Sequence, residues 1–327
     1  MKVFVAGASG AIGRPLIPML VAEGHDVVAA TRTPAKADLL RTLGARPVVV
    51  DALNAEALKT AVFDAQPEAV IDELTNLPQK ISPFGMKHFY DKQTPLKTVA
   101  APALIEASKS VGARVHIIQS IAFLYPPGGA PVKDEDAVPP YWDPPQPWDT
   151  AMKPFEHAEQ AISKADEFNG IVLRYGYFYG PGTHYAADGA IGQMVRKRMF
   201  PIMGKGTGIS SFIHVDDAAA ATVAALHAGA TGLRGIFNVV DDDPAPMHEW
   251  LPMYADALGA KPPRHVPVWL GRLTAGALLV HFATTLSGAS NARIKSATDW
   301  KPTYASWRDG FPAALAVDPP SASTHRE

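Results

Sequence analysis

The residues best suited to chemistry stand at the very start of the chain. Gly7-Ala8-Ser9-Gly10-Ala11-Ile12-Gly13 follows a short apolar run, Lys2–Ala6, and opens a helix-like stretch, Arg14–Glu23. Glycine suits a backbone that must turn tightly and approach an anion. A helix starting there offers free N–H groups and its positive dipole end to phosphate. In a strand–turn–helix context this spacing implies a dinucleotide pyrophosphate held by Gly7, Ser9, Gly10, Ala11, Ile12 and Gly13. The end of the next strand decides which dinucleotide. An acid there would bond the ribose 2′-hydroxyl of NAD(H). The chain instead reads Thr31-Arg32-Thr33-Pro34-Ala35-Lys36. A guanidinium meets a phosphate through two parallel hydrogen bonds. The expectation is therefore NADP(H) rather than NAD(H), with Arg32 as the main contact, Lys36 in support and Thr31 beside them. Asp51-Ala52 closes a third strand. Asp51 has two equal readings, an acceptor for the adenine amino group or a cap for the following helix.

These groups need a scaffold, and the pattern supplies one. Strand-like runs at Lys2–Ala6, Asp26–Thr31, Pro47–Asp51, Ala69–Asp72, Arg114–Ser120 and Ile171–Tyr175 alternate with helical stretches. Those stretches are Arg14–Glu23, Lys36–Leu43, Ala55–Ala65, Thr94–Val111 and Thr150–Phe168. Such alternation predicts an α/β fold with a doubly wound parallel sheet. A further helix at Asp216–Ala228 and a strand at Gly235–Val240 rejoin the pattern. Residues 180–211 and the stretch from 243 lack that rhythm and read as a smaller interleaved domain. Pro126 to Pro147 holds eight prolines beside Tyr141 and Trp142, and it is expected to form an ordered wall over the site.

Composition closes off several classes. The 327 residues carry 30 Lys+Arg and 32 Asp+Glu, a net charge of −2, so no bulk basic field speaks for a nucleic-acid partner. There is no cysteine, which removes disulfides, thiol nucleophiles and cysteine zinc sites. The 11 histidines show no metal-ligand spacing, and no metal is expected. The most membrane-like stretch, Leu273–Leu286, contains His281 and falls short of the about 20 apolar residues a span needs. The N-terminus has no secretory pattern. A cytoplasmic protein without a membrane partner is expected.

Taken in order, the motifs resemble the extended short-chain dehydrogenase/reductases, and among them the NAD-dependent epimerase/dehydratase family. The nucleotide turn Gly7–Gly13 is followed by Asp51-Ala52-Leu53. Ile117-Ile118-Gln119-Ser120 is similar to the family's strand ending in serine. Lys133-Asp134-Glu135-Asp136 resembles its acidic loop. Leu173-Arg174-Tyr175 through Tyr179-Gly180-Pro181-Gly182 resembles its "LR…YGPG" segment. Phe212-Ile213-His214-Val215-Asp216-Asp217, Asn238-Val239 and Trp300-Lys301-Pro302 with Tyr304 complete the likeness. It runs from Lys2 to about Phe311. It implies a Rossmann-type domain at 1–179 and 212–242 that binds NADP, and a substrate-binding domain at 180–211 and 243–317. Residues 318–327 are expected to be a disordered tail. The site would lie at the strand C-termini, with Leu74, Thr75 and Asn76 touching the cofactor and Tyr175 and Tyr177 passing the nicotinamide. The resemblance also implies a homodimer through helices Thr94–Val111 and Thr150–Phe168.

The catalytic signature departs from the family. There a serine or threonine joins Tyr-x-x-x-Lys, whose tyrosine exchanges a proton while the lysine holds the nicotinamide ribose. Here Ser120 and Lys153 stand for the serine and lysine, and Asp149 occupies the tyrosine position. A carboxylate is ionised near neutral pH unless burial raises its pKa. Asp149 is therefore open to three readings: a general base or acid for a different step, a sign that Tyr125, Tyr141 or Tyr179 reaches in, or a sign that the redox chemistry is lost and a cofactor-binding protein is left. Its place at a helix start also suits a plain N-cap. His214 with Asp216 and Asp217 is expected to start a helix rather than to catalyse. Arg196-Lys197-Arg198 is expected to be a solvated helix end. His88, Phe89, Tyr90, His184 and Tyr185 are candidate substrate contacts without a motif. Three functions follow. The first is an NADP(H)-dependent oxidoreductase on a small, fairly apolar carbonyl or alcohol. The second is an epimerase, dehydratase or isomerase without net redox. The third is a dinucleotide sensor.

Overall fold

The computed structural model describes residues 1–76, 93–123, 125–137 and 148–316, the side chains of 148–151 excepted. Seven parallel strands form the central sheet: β1 (Lys2–Ala6), β2 (Asp26–Thr31), β3 (Arg46–Val49), β4 (Ala69–Asp72), β5 (Val115–Ile121), β6 (Asn169–Tyr175) and β7 (Gly235–Val239). Their spatial order is β7-β6-β5-β4-β1-β2-β3. The helices that cover it are α1 (Gly13–Ala22), α2 (Ala37–Thr42), α3 (Ala55–Ala65), α4 (Ala101–Ser110), α5 (Trp148–Lys164) and α6 (Val215–Ala230). A parallel sheet is buried on both faces, so its strands are continuous apolar runs. β4, at the centre, is buried throughout. β3, at the edge, is the least buried strand and is the one that tolerates a proline, Pro47.

Alternate residues of each strand feed two cores. Val3, Val5, Ile71, Ile117 and Leu173 pack under α1 and α6. Phe4, Val28 and Val70 pack under α3 and α4 with Leu58, Val62 and Leu104. The strand order reverses between β1 and β4, which opens a crevice at their C-terminal ends.

A third core lies beyond the sheet. Tyr179, Phe212, Trp250, Tyr254, Trp307 and Phe311 are its largest buried rings. Strand pairing of Tyr177–Tyr179 with Phe212–His214 carries the chain out and back. Helices Met247–Ala257, Val268–Thr274, Ala277–Thr284 and Trp307–Ala316 close around it. Ile294 and Trp300 leave this group and join the core under α1 and α6. Among the described residues no helix is long and apolar enough to cross a membrane.

Candidate active site

The nucleotide turn sits where β1 delivers it. Gly7 has φ +84°, and a Cβ there would stand 2.4 Å from the Glu73 carbonyl oxygen. A Cβ on Gly13 would meet the Ala8 carbonyl oxygen at 2.2 Å. Neither position admits a side chain, so α1 and β4 approach the turn closely. α1 begins with neither a side-chain cap nor an acid in its first turn, and within the turn the Gly10 amide donates to the Gly7 carbonyl at 2.9 Å. An uncapped helix start behind a close glycine turn is the kind of place where anions bind.

A cleft runs from that turn to the end of β2. Gly7, Ser9, Gly10, Thr31, Arg32, Lys36, Asp51, Ala52, Leu74 and Thr75 line it, with Glu73, Asn76 and Leu96. Ala11 and Ile12 lie behind it at the start of α1. Ile12 is buried, 4% exposed, and serves the core rather than the rim. Thr31 is buried and its hydroxyl accepts from the Thr33 amide at 3.3 Å, which shapes the turn that presents Arg32. Arg32 and Lys36 are exposed, and neither makes an ion pair among the described residues. Asp51 Oδ1 accepts from the Leu53 amide at 3.1 Å, while Asn54 accepts from Ala57 and caps α3. Asp51 therefore shapes the turn ahead of α3, and the helix takes its cap from Asn54.

β4 ends in two buried acids that point to opposite faces. Asp72 Oδ1 accepts from the Leu74 amide at 3.0 Å, and Oδ2 has no partner. Burial pushes its carboxyl up, opposed by the nearby Lys97 charge and by the Leu74 amide. Glu73 is pushed up to about 8, chiefly by burial. The Tyr175 hydroxyl donates to Glu73 at 3.0 Å and also pairs with Thr222 at 2.7 Å. The Tyr175 ring is thus locked in the core, and its backbone alone is left to face a ligand. Tyr177 is half-buried and stacks on Phe123 with ring centroids 4.7 Å apart.

The expected catalytic groups stand in different surroundings. Ser120 is buried, and its hydroxyl donates to Glu159. Arg174 donates to the same carboxylate through Nε at 2.9 Å and through Nη2. Lys153 lies on the exposed side of α5. The buried face of that helix is Met152, Phe155, Ala158, Glu159 and Ile162, the spacing of an amphipathic helix. Residues two apart on a helix stand roughly 200° apart, so Phe155 facing inward turns Lys153 outward. The side chain of Asp149 lies outside the described residues, as do Tyr141, His88, Phe89 and Tyr90. Tyr125 is 1% exposed, donates to Asn238 and is pushed up to about 12 by burial. Tyr179 is fully buried among His214 and Phe311. His214 caps α6 by accepting from the Asp216 amide at 3.2 Å. Asp217 accepts from the Thr303 and Tyr304 amides. Both therefore hold the fold together. Arg196 donates to the Ala187 carbonyl. Tyr185 lies buried in the third core, its carbonyl accepting from the Tyr254 hydroxyl at 2.8 Å.

Two features go beyond the sequence reading, which marks only the Leu273–Leu286 stretch as a buried or substrate-lining helix. One is an apolar wall beside the end of β5, where Met152, Phe155 and Leu278 pack with Ile121, Phe123 and Phe282. The other is Lys97, which is 3% exposed. The wall has a sequence signal, the apolar periodicity of α5. The lysine has none, because a lone lysine in a helix reads as surface.

Known proteins match this architecture. A model of the NAD dependent epimerase/dehydratase family matches residues 3–239. A Streptomyces 3-diazoavenalumate denitrifying reductase is 43% identical over 312 residues, covering 95% of this chain and 99% of the relative. The UDP-glucose 4-epimerase of Thermus thermophilus, solved with NAD, superposes with TM-score 0.72 at 20% identity, covering 96% of this chain and 97% of that one. The human epimerase family protein SDR39U1, solved with NADPH, gives 0.69 at 19% identity, covering 96% and 99%. The solved structures share the fold of this chain. The chain belongs to the NAD-dependent epimerase/dehydratase family and is an enzyme of the oxidoreductase or epimerase kind that uses a pyridine nucleotide.

Proposed function

We propose that this protein is an NADP(H)-dependent reductase of a small, largely apolar electrophile. The observation that carries this reading is the end of β2. Arg32 and Lys36 stand exposed on the cleft, and residues 31–36 contain no carboxylate for a ribose 2′-hydroxyl. The reductase at 43% identity supports a redox reaction over an epimerisation. The half-buried Ile121, Phe123 and Tyr177 leave apolar surface near the end of β5 for such a substrate.

The altered catalytic motif narrows the electrophile. When bound, a reduced nicotinamide supplies a hydride. A carbonyl that accepts hydride also needs a proton on its oxygen. α5 contains no tyrosine, and Tyr125 and Tyr179 are sealed in the core. An arenediazonium needs no such donor. It accepts hydride at its terminal nitrogen, then releases N2 while that hydrogen passes to carbon. The name of the reductase relative describes a diazo compound and loss of nitrogen. An aryl diazonium is therefore the first substrate class to test, ahead of the apolar carbonyl.

Titration with NADPH, NADH and NADP⁺, followed by fluorescence, tests the cofactor. NADPH is expected to bind at least about tenfold tighter than NADH. Absence of binding by any dinucleotide refutes the reading. Net consumption of NADPH with a diazonium separates a reductase from an epimerase or a sensor. A homodimer through helices Thr94–Val111 and Thr150–Phe168 remains a proposal, for sedimentation velocity to check.

A further inference from the structure

Lys97 stands in a π-helical turn, Leu96–Ala100, just ahead of α4. Such turns re-aim side chains and are common at functional sites. The ammonium donates to the Gln119 carbonyl at 2.9 Å and lies 5.4 Å from the centre of the Phe155 ring. An ammonium has three protons to donate. Among the described residues the Gln119 carbonyl is its one hydrogen-bond acceptor. A buried ammonium normally has more of its protons taken by hydrogen-bond acceptors.

The neighbours are under-satisfied too. Gln93, one helical turn earlier, is 3% exposed, and neither its amide oxygen nor its nitrogen has a partner. Asp72 is fully buried with Oδ2 unpartnered, and its charge interacts with that of Lys97. Leu96, beside Lys97, lines the nucleotide cleft, and Phe155, beneath it, belongs to the apolar wall. The cluster therefore occupies the junction of cofactor cleft and substrate surface. Buried polar atoms left open in this way call for a hydroxyl-bearing ligand.

We propose that Lys97 is the cation of the reaction centre, its ammonium binding the vicinal hydroxyls of the nicotinamide ribose, with Gln93 as a second polar contact. The lysine expected on α5 is thus supplied from the neighbouring turn ahead of α4, which packs against α5 on the same face of the sheet. This inference rests on the dinucleotide-dependent reading above.

The test compares NADPH with adenosine 2′,5′-bisphosphate, a probe that fills the adenine end and lacks the nicotinamide riboside. Wild type, Lys97→Met, Lys153→Met and Gln93→Ala are titrated with both. Lys97→Met is expected to weaken NADPH about 10- to 100-fold and to leave the bisphosphate unchanged, while Lys153→Met changes neither. If Lys97→Met does not fold, Gln93→Ala carries the test, with a several-fold loss for NADPH alone. A general structural defect would weaken both ligands together. An unchanged ratio of the two affinities in Lys97→Met, or in Gln93→Ala where that variant carries the test, overturns the proposal and spares the cofactor reading. Wild-type protein that binds neither ligand overturns both.

Discussion

Glu159→Gln is the sharpest single perturbation of this fold. Glu159 and Arg174 have side chains only 5% and 4% exposed and face each other across α5 and β6. The carboxylate accepts from Arg174 Nε, Arg174 Nη2 and the Ser120 hydroxyl. Burial pulls the guanidinium down, and the Glu159 charge and hydrogen bonds, with the Tyr125 contact, outweigh that pull and hold the group above its usual range. Glutamine keeps the shape, removes the charge and sets an amide N–H against guanidinium donors. Removing one member of a buried pair costs about 3–5 kcal/mol, because the other charge stays buried alone. At about 2–4 °C per kcal/mol for a domain of this size, the midpoint should fall by roughly 6–20 °C. Urea unfolding followed by circular dichroism gives the free energy directly. Glu159→Leu with Arg174→Met should recover part of the loss, since it removes both charges. Ser120→Ala removes one of the three bonds and should cost about 1 kcal/mol with turnover near wild type. A Glu159→Gln variant within about 1 kcal/mol of wild type would refute the buried-pair argument. A large fall in kcat for Ser120→Ala at unchanged stability would make its hydroxyl catalytic instead.

Further outcomes follow from the same geometry. Arg32→Ala should weaken NADPH by about 10- to 100-fold, the worth of a charge-assisted contact to phosphate, and leave NADH nearly unchanged by fluorescence titration. Gly13→Ala places a Cβ 2.2 Å from a backbone oxygen, so it should abolish dinucleotide binding or folding, as read by titration and circular dichroism. Glu73 has a folded pKa of about 8 against 4.5 in the unfolded chain, so the folded state holds the extra proton between those values. Stability of the ligand-free protein should therefore decline as pH rises from about 4.5 to 8. Glu73→Gln should flatten that decline in urea titrations across the range, and an unchanged slope would show Glu73 to be ionised.

The alternation of strands and helices was legible because both periods are local. Strands β1, β2, β4, β5 and β6 fall where the apolar runs stand, to within two residues. The third run ends two residues earlier than expected, because Asp51 turns back onto the Leu53 amide. The glycine turn was legible for the same reason. Gly7 and Gly13 answer demands of dihedral angle and close approach that no other residue meets.

The surroundings of the expected catalytic groups were not legible in this way. Resemblance to the family's Ser and Tyr-x-x-x-Lys pattern selected Ser120 and Lys153. The fold adds that Lys153 stands on the exposed side of α5, away from the apolar stripe through Met152, Phe155 and Ile162. Ser120 meets Glu159, 39 residues away, and Lys97 meets Gln119 and Phe155 from a different helix. By itself the sequence determined the parallel sheet, the close-packed glycine turn and the cationic end of β2, since each follows from neighbouring residues along the chain. Only the tertiary structure decided which polar groups are buried beside the cleft, because burial depends on how separate elements pack, and packing leaves no mark at any one position.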